Sequence, residues 1–332
     1  GRADLVVGIE VKPQRVRAGK GAAALVTVSH ASSRRMLPVR MELTVGDGAA
    51  EFTVPTMPAG GIHEEVFVLP TRRRAVIPVG PATSVRADPL GLMRRTKAWT
   101  PVIPLLVHPP TVSLAEIGTG FVRDLEGRAS HDPSASDVAF HTLRQYEPGD
   151  DRRYVHWLTS ARVGQLMVRQ FIDTRRTNVA VVVDGTRTSY ADDDEFEVAV
   201  SVGASIGVRI LLDDQELSMV VAGERIPTGT GNAMLDGLCA VEPGLSAAGL
   251  GAEVDHLFRF AQGLSLAVLV TGSRTAVADL RAASVRFPPD VRLVGVRVDP
   301  SGLSGFQPVG PMTLVTVAAL DDLPRVLRAV VA

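Results

Sequence analysis

The sequence predicts a β-sandwich followed by a doubly wound α/β unit, joined by a segment that fits neither pattern. Three observations carry this reading. Residues 1–110 alternate apolar and polar side chains in short runs separated by Gly, Pro and Asp. Residues 178–332 set uninterrupted apolar runs between helical stretches. A half-covered strand alternates, whereas a strand covered on both faces is apolar throughout. The length, 332 residues, suits about two domains.

In the first part, Leu5 to Ile9 leads to Lys12-Pro13, and Ala24 to Val28 alternates with period 2. Pro38 to Val45 does the same and ends at the turn Gly46-Asp47-Gly48. Glu51 to Val54, Glu65 to Leu69, Ala75 to Val79 and Val102 to Val107 complete the set. Turn residues between them (Pro58 to Gly61, Gly80-Pro81, Asp88-Pro89) recur at sandwich spacing. An immunoglobulin-like sandwich is therefore expected over 1–110.

In the second part, Asn178 to Asp184, Leu264 to Thr271 and Val291 to Val298 read as buried strands, with further strands at Leu217 to Val221 and Leu314 to Val317. Helices are expected at about Asp193 to Leu212, Asn232 to Val241, Ala252 to Phe260, Thr275 to Ala283 and Leu323 to Val331. The first opens on a run of acids, which suits a helix N-terminus. Strands alternating with helices mean a mostly parallel, Rossmann-type sheet over 178–332. Ligands of such sheets sit at the carboxyl ends of the strands. Here those ends are Asp184 onward, Gly223 to Gly231 and Gly272 to Thr275.

Hydrophobic residues at 45% and charged residues at 21% exclude a disordered or fibrous chain. The single cysteine, Cys239, excludes an internal disulfide and a cysteine zinc cluster, and its apolar helical setting reads as core. No apolar run reaches the ~18–20 residues that cross a bilayer. The chain begins at Gly1 rather than Met, so it is expected to be the soluble part of a longer protein. The formal charge of −1 hides a polarity. Residues 1–110 hold 15 basic and 8 acidic side chains, 111–177 hold 9 of each, and 178–332 hold 11 basic and 19 acidic. The basic clusters Arg34-Arg35, Arg72 to Arg74 and Arg94-Arg95 lack interleaved aromatics, which argues against nucleic acid. An anionic membrane leaflet suits them better than nucleic acid, and a solvated surface is the plain alternative.

The middle segment, 111–177, is dense in aromatics and charges from Phe140 to Arg169. Pro148-Gly149 predicts a turn, with Asp150 and Asp151 near the start of a short helix through His156-Trp157. Three readings stay open on chemistry alone. Arg144, Arg152 and Arg162 pair with Asp150 and Asp151 while Trp157 plugs the domain junction, or the segment is a partner-docking surface, or Asp150, Asp151 and His156 form a catalytic site, for which no nucleophile or orienting group is identifiable. Its pattern resembles a known family. Leu143, Arg144, Tyr146, Gly149, Asp150, Asp151, Arg152, Trp157, Ser160, Ala161 and Arg162, followed by an apolar strand ending in Asp, are similar to the signature of the bacterial DUF 58 proteins (domain of unknown function 58). Thr71 to Arg74 before Ile77 to Pro81, and Asp88 to Leu92, match the stretch that precedes that signature.

The resemblance implies a β-sandwich, then the signature, then a von Willebrand factor A-like domain, with a membrane hairpin upstream. It implies a MoxR-type AAA+ ATPase as partner and a chaperone-like or complex-assembly role at the cytoplasmic face of the membrane. On that basis Arg144, Asp150, Arg152, Trp157 and Arg162 are expected to couple the domains. The von Willebrand resemblance also raises a metal-ion-dependent adhesion site. Asp184-Gly-Thr186-Arg-Thr188 offers a carboxylate and two hydroxyls for a hard cation such as Mg2+, with Thr228 or Thr230 as a third hydroxyl. The loop Thr271-Gly272-Ser273 has no second carboxylate, which weakens such a site. Asp184 as a capping or ion-paired residue is the competing reading.

No H-E-x-x-H, G-x-G-x-x-G or Walker-type phosphate loop is present in the sequence, and the one G-x-S-x-G string, Gly203 to Gly207, falls inside an expected helix and is no nucleophile elbow. The expected function is therefore a non-enzymatic interaction protein with no small-molecule substrate. A metal-dependent hydrolase using Asp184 is the alternative.

Overall fold

Period-2 alternation in the first part builds two sheets around one core. The computed structural model describes residues 5–87, 94–115, 138–147, 154–173, 178–244 and 249–331. One sheet has the order β1-β3-β6, from Leu5–Lys12, Ala23–His30 and Ile62–Val68. The other runs β2-β9-β7-β4-β5, with β8 pairing on β7. Its strands are β2 (Arg15–Arg17), β4 (Val39–Val45), β5 (Gly48–Val54), β7 (Ala75–Ala87), β8 (Arg94–Ala98) and β9 (Ile103–His108). Ala24, Val26 and Val28 of β3 point inward with Met41, Leu43 and Leu105 from the facing sheet. All seven expected strands are present. The three-residue β2 is too short to show periodicity, and β8 is polar except for its last residue, Ala98.

The uninterrupted apolar runs become the inner strands of a second sheet, ordered β14-β13-β12-β15-β16-β18-β17. Strands β12 (Asn178–Val183), β13 (Glu216–Val221), β15 (Leu264–Thr271), β16 (Arg292–Val298) and β18 (Met312–Val317) are mutually parallel. The edges β14 (Glu224–Ile226) and β17 (Gly305–Val309) are antiparallel hairpin partners. Each face of β12 enters a different core. Val179, Val181 and Val183 meet Phe196 and Ile206 of α2 (Asp193–Leu212), Met234 of α3 (Gly231–Leu238) and Leu323 of α6 (Leu323–Val331). Ala180 and Val182 meet Leu250 and Val254 of α4 (Gly249–Leu257) and Leu280 of α5 (Val277–Ser284). Helices on both faces make the sheet doubly wound.

The middle segment holds a hairpin that its sequence did not announce. β10 (Val138–Gln145) pairs antiparallel with β11 (Met167–Asp173), and between them lies α1 (Trp157–Val163). Helix α1 starts at Trp157, with His156 Nδ1 accepting from the Thr159 amide at 3.2 Å. The first turn of α1 contains no acid, and Asp150 and Asp151, expected near a helix start, lie outside the described residues. The side chain of Ser160 ties α1 to β11, donating to the His156 carbonyl and accepting from the Met167 amide at 2.8 Å.

The two large units meet through arginines. Arg74, just before β7, is buried, with Nη1 donating to the Leu238 carbonyl at 2.8 Å and Nε 3.0 Å from Glu197. Its guanidinium also lies over the Phe196 ring. Arg15 binds both carboxylate oxygens of Asp236, and His108 Nε2 sits 2.7 Å from the same carboxylate. The exposed Arg73 pairs with Asp194. Cys239 donates to the Val107 carbonyl at 3.3 Å, and burial pushes its thiol up to about 12. Arg15, Arg74 and His108 couple the two units; of the residues expected to do so, Trp157 and Arg162 are exposed, and Asp150 and Arg152 lie outside the described residues. Beyond β9 the chain stays on the α/β unit: the Val112 amide donates to Ser205, and Leu114 lies in the same core as Val179.

Removing one partner of a buried ion pair strands the other, which costs about 3–5 kcal/mol. Arg74→Ala is thus expected to lower denaturant stability by that amount, with Glu197 and the Leu238 carbonyl left unpaired. A loss below about 1 kcal/mol in a chemical melt would contradict the clamp.

Candidate functional site

The carboxyl ends of β12, β13 and β15 form a rim held together by three buried acids. Asp184 follows β12 and is 1% exposed. Its Oδ1 accepts from the Thr186 amide at 2.9 Å, and its Oδ2 accepts from the Thr271 hydroxyl at 2.9 Å. Thr271 in turn contacts the Thr275 hydroxyl at 2.6 Å. The Tyr190 hydroxyl donates back to the Asp184 carbonyl, and the burial of that phenol pushes its pKa well up.

Glu195, in the first turn of α2 and 2% exposed, ties the loop after β12 to the loop after β15. It accepts from the Ala191 amide at 3.0 Å and from both the amide and the hydroxyl of Ser273. Gly272 is required beside it, because a Cβ there would lie 2.3 Å from the Ser189 carbonyl oxygen and 2.6 Å from Glu195. So the loop after β15 lacks an acid of its own and receives one from α2. Glu253 of α4 does the same between β12 and β13, accepting from the Gly223 amide at 2.8 Å. Burial pushes its carboxyl up, while amide contacts from Gly223 and Gly185 pull it back down. The backbones here approach closely: a Cβ on Gly185 would stand 2.2 Å from Ala222 Cα.

These donors do not fit a hard cation. A metal site needs several ligands converging on one point, and the Asp184 and Glu195 oxygens each already accept hydrogen bonds from protein N–H and O–H groups. Thr186 and Thr188 do not converge either. Thr186 lines a cavity of about 280 Å3 with Gly223, Glu253 and His256. Thr188 lines a separate depression with Arg187, Asp192, Asp193 and Arg274. Thr228 donates to the Leu217 carbonyl near the amino end of β13, across the sheet from Asp184, and Thr230 caps α3. Neither is placed to be the third hydroxyl. Among the described residues, no group of three or more His, Cys, Asp or Glu side chains could hold a metal ion. Sequence reasoning missed Glu195 and Glu253, since a helix-start acid and a mid-helix acid carry no motif.

Of the signature residues, Gly149, Asp150, Asp151 and Arg152 lie outside the described residues. Arg144 and Tyr146 stand at the end of the hairpin, with Arg144 donating to the Gln145 carbonyl at 3.1 Å and the Tyr146 amide to the Leu166 carbonyl at 2.8 Å. Trp157 is 66% exposed and plugs no junction, which corrects its expected burial. Arg162 is exposed in the last turn of α1. Ser160 alone among the described signature side chains is buried.

Two outcomes follow. Asp184→Ala removes the acceptor of the Thr186 amide and one partner of the buried Thr271 hydroxyl, so a stability loss of about 2–3 kcal/mol is expected, with no Asp184-dependent heat on titrating Mg2+ or Mn2+ by calorimetry. Trp157→Ala changes stability by no more than about 0.5 kcal/mol, because an exposed ring leaves no cavity. A large drop in melting temperature would show that the ring is covered.

The pattern of the family described as "Protein of unknown function DUF58" matches residues 142–313, about half of the chain. "Uncharacterized protein YeaD" of Bacillus subtilis (strain 168) is 40% identical over 65 residues, which are 20% of this chain and 15% of that protein. The chain thus matches under a sixth of that relative's length. Among solved structures, the CARDB domain of the PF1109 protein from Pyrococcus furiosus aligns at 15% identity and a TM-score of 0.25, over 32% of this chain and 93% of that one. The putative ApaA protein from Bordetella pertussis aligns at 14% identity and a TM-score of 0.23, over 32% and 94%. With the family pattern running from the hairpin to β18, the chain belongs to the DUF58 family.

Proposed function

We propose that the protein is a non-enzymatic interaction module whose α/β unit, read as von Willebrand A-like, presents its rim to a partner protein. The partner is a MoxR-type AAA+ ATPase, as the family resemblance implies. The work is chaperone-like or complex-assembling, with the full-length protein held at the cytoplasmic face of the cell membrane and the sandwich read as immunoglobulin-like. One observation carries this reading. Asp184, Glu195 and Glu253 spend their carboxylates on amides and hydroxyls of the rim itself. What faces outward is a ring of exposed polar side chains (Arg187, Thr188, Asp192, Asp193 and Arg274) around a shallow depression of about 380 Å3. A stiff, charged, open surface suits recognition of another protein surface better than enclosure of a substrate.

The test is retention of a MoxR-type ATPase from the native host on the immobilised protein, with ATP and with a non-hydrolysable analogue. Wild type is expected to retain it, and Arg274→Glu to weaken retention about tenfold by reversing one rim charge. No AAA+ ATPase in either nucleotide condition would reject the proposal.

A further inference from the structure

The hairpin presents a second surface with different chemistry. Trp157 and Leu158 open α1 at 66% and 64% exposure, and Val163 and Leu166 beyond them are 56% and 44% exposed. On a helix, Trp157 lies one turn from Ala161 and Leu158 one turn from Arg162, so these four share one outward face. Only Ser160 of the helix is buried. A seven-residue helix crowned by an exposed indole and leucine forms a small knuckle. Isolated exposed apolar residues are ordinary, but four in ten positions, including a tryptophan, mark a contact surface.

Charge selects the occupant. From position 150 to position 169 the sequence contains four arginines and two acids, Asp150 and Asp151, a net of +2 in a protein whose total charge is −1. Arg162 places one of these charges on the apolar face itself. An indole flanked by leucines and arginine is the composition that settles at the boundary between headgroups and acyl chains. Anionic lipid attracts each nearby basic side chain.

We propose that α1 is an interfacial membrane-binding knuckle, inserting Trp157 and Leu158 into an anionic bilayer surface with Arg162 at headgroup level. This does not depend on the ATPase reading. The knuckle and the rim share no residue, so each can be varied without altering the other's side chains.

The test uses the whole chain with vesicles of phosphatidylcholine alone and of phosphatidylcholine with phosphatidylglycerol. Wild type is expected to co-float with the anionic vesicles only, with a blue shift in tryptophan emission. Trp99, the other tryptophan, is hydrogen-bonded to Ser84 and lies beneath Lys97, so the shift is expected to vanish in Trp157→Phe. Leu158→Glu and Arg162→Glu are each expected to weaken partitioning about tenfold without changing the melting temperature, as the side chains are exposed. Any of three results overturns the proposal. These are no binding to anionic vesicles, binding unchanged in both charge variants (which places it on the basic sandwich), or binding with no shift from Trp157. If Leu158→Glu abolishes ATPase retention while vesicles remain unbound, the knuckle is a protein contact and the membrane proposal fails.

Discussion

The guanidinium of Arg74 is the joint on which the two units depend. It leaves the sandwich before β7 and ends between α2 and α3, where a carbonyl, a carboxylate and an aromatic face meet it. A buried charge is stable only when its partners are already in place, so the joint fixes orientation as well as contact. Around it, Arg15 and His108 converge on Asp236, whose carboxyl they hold below its ordinary range, the Arg15 hydrogen bond contributing most. The polarity of the sequence acquires a physical reason here. The basic unit and the acidic unit meet, and the arginines that a sequence reader assigns to a membrane or to solvent include those that bind the neighbouring unit.

The rim repeats the principle with the sign reversed. Parallel strands end with unpaired amides at their carboxyl edge, and loops leaving them must satisfy those amides or expose them. Asp184, Glu195 and Glu253 reach into the loops and accept those amides. Each acid spans two elements: β12 and β15, α2 and the loop after β15, or α4 and the loop after β13. The cores on the two faces of β12 hold the strands, and the acids hold their ends.

Much of this was legible before any coordinates. The bounds of α2, β15 and α6 match the sequence reading, because a long helix with an acidic start and an all-apolar run each have one interpretation. Edge strands β14 and β17 were missed, since a strand paired on one side and part-exposed has a mixed pattern. The hairpin β10–β11 was missed for a related reason. Aromatic and charged residues crowd it without periodicity, and its register shifts between Phe140 and Thr142. The motif Asp184-x-Thr186-x-Thr188 showed where the rim is, but not that its carboxylate faces Thr271 and that its two threonines line different hollows. Trp157 misled through its size, because large aromatics are usually buried and nothing local marks this one as outward.

The strap after β9 alters the standing of the hairpin in the chain. Leu114 enters the α/β core before the hairpin begins, and Val179 enters the same core after it ends. Both roots of the excursion are therefore set in one body, and the sandwich holds neither. In mechanical terms the signature segment is a handle mounted on the α/β unit, not a hinge between two units. A pull on the handle is borne by β12 and α2, and reaches the sandwich through the contacts of Arg74, Arg73, Arg15 and His108.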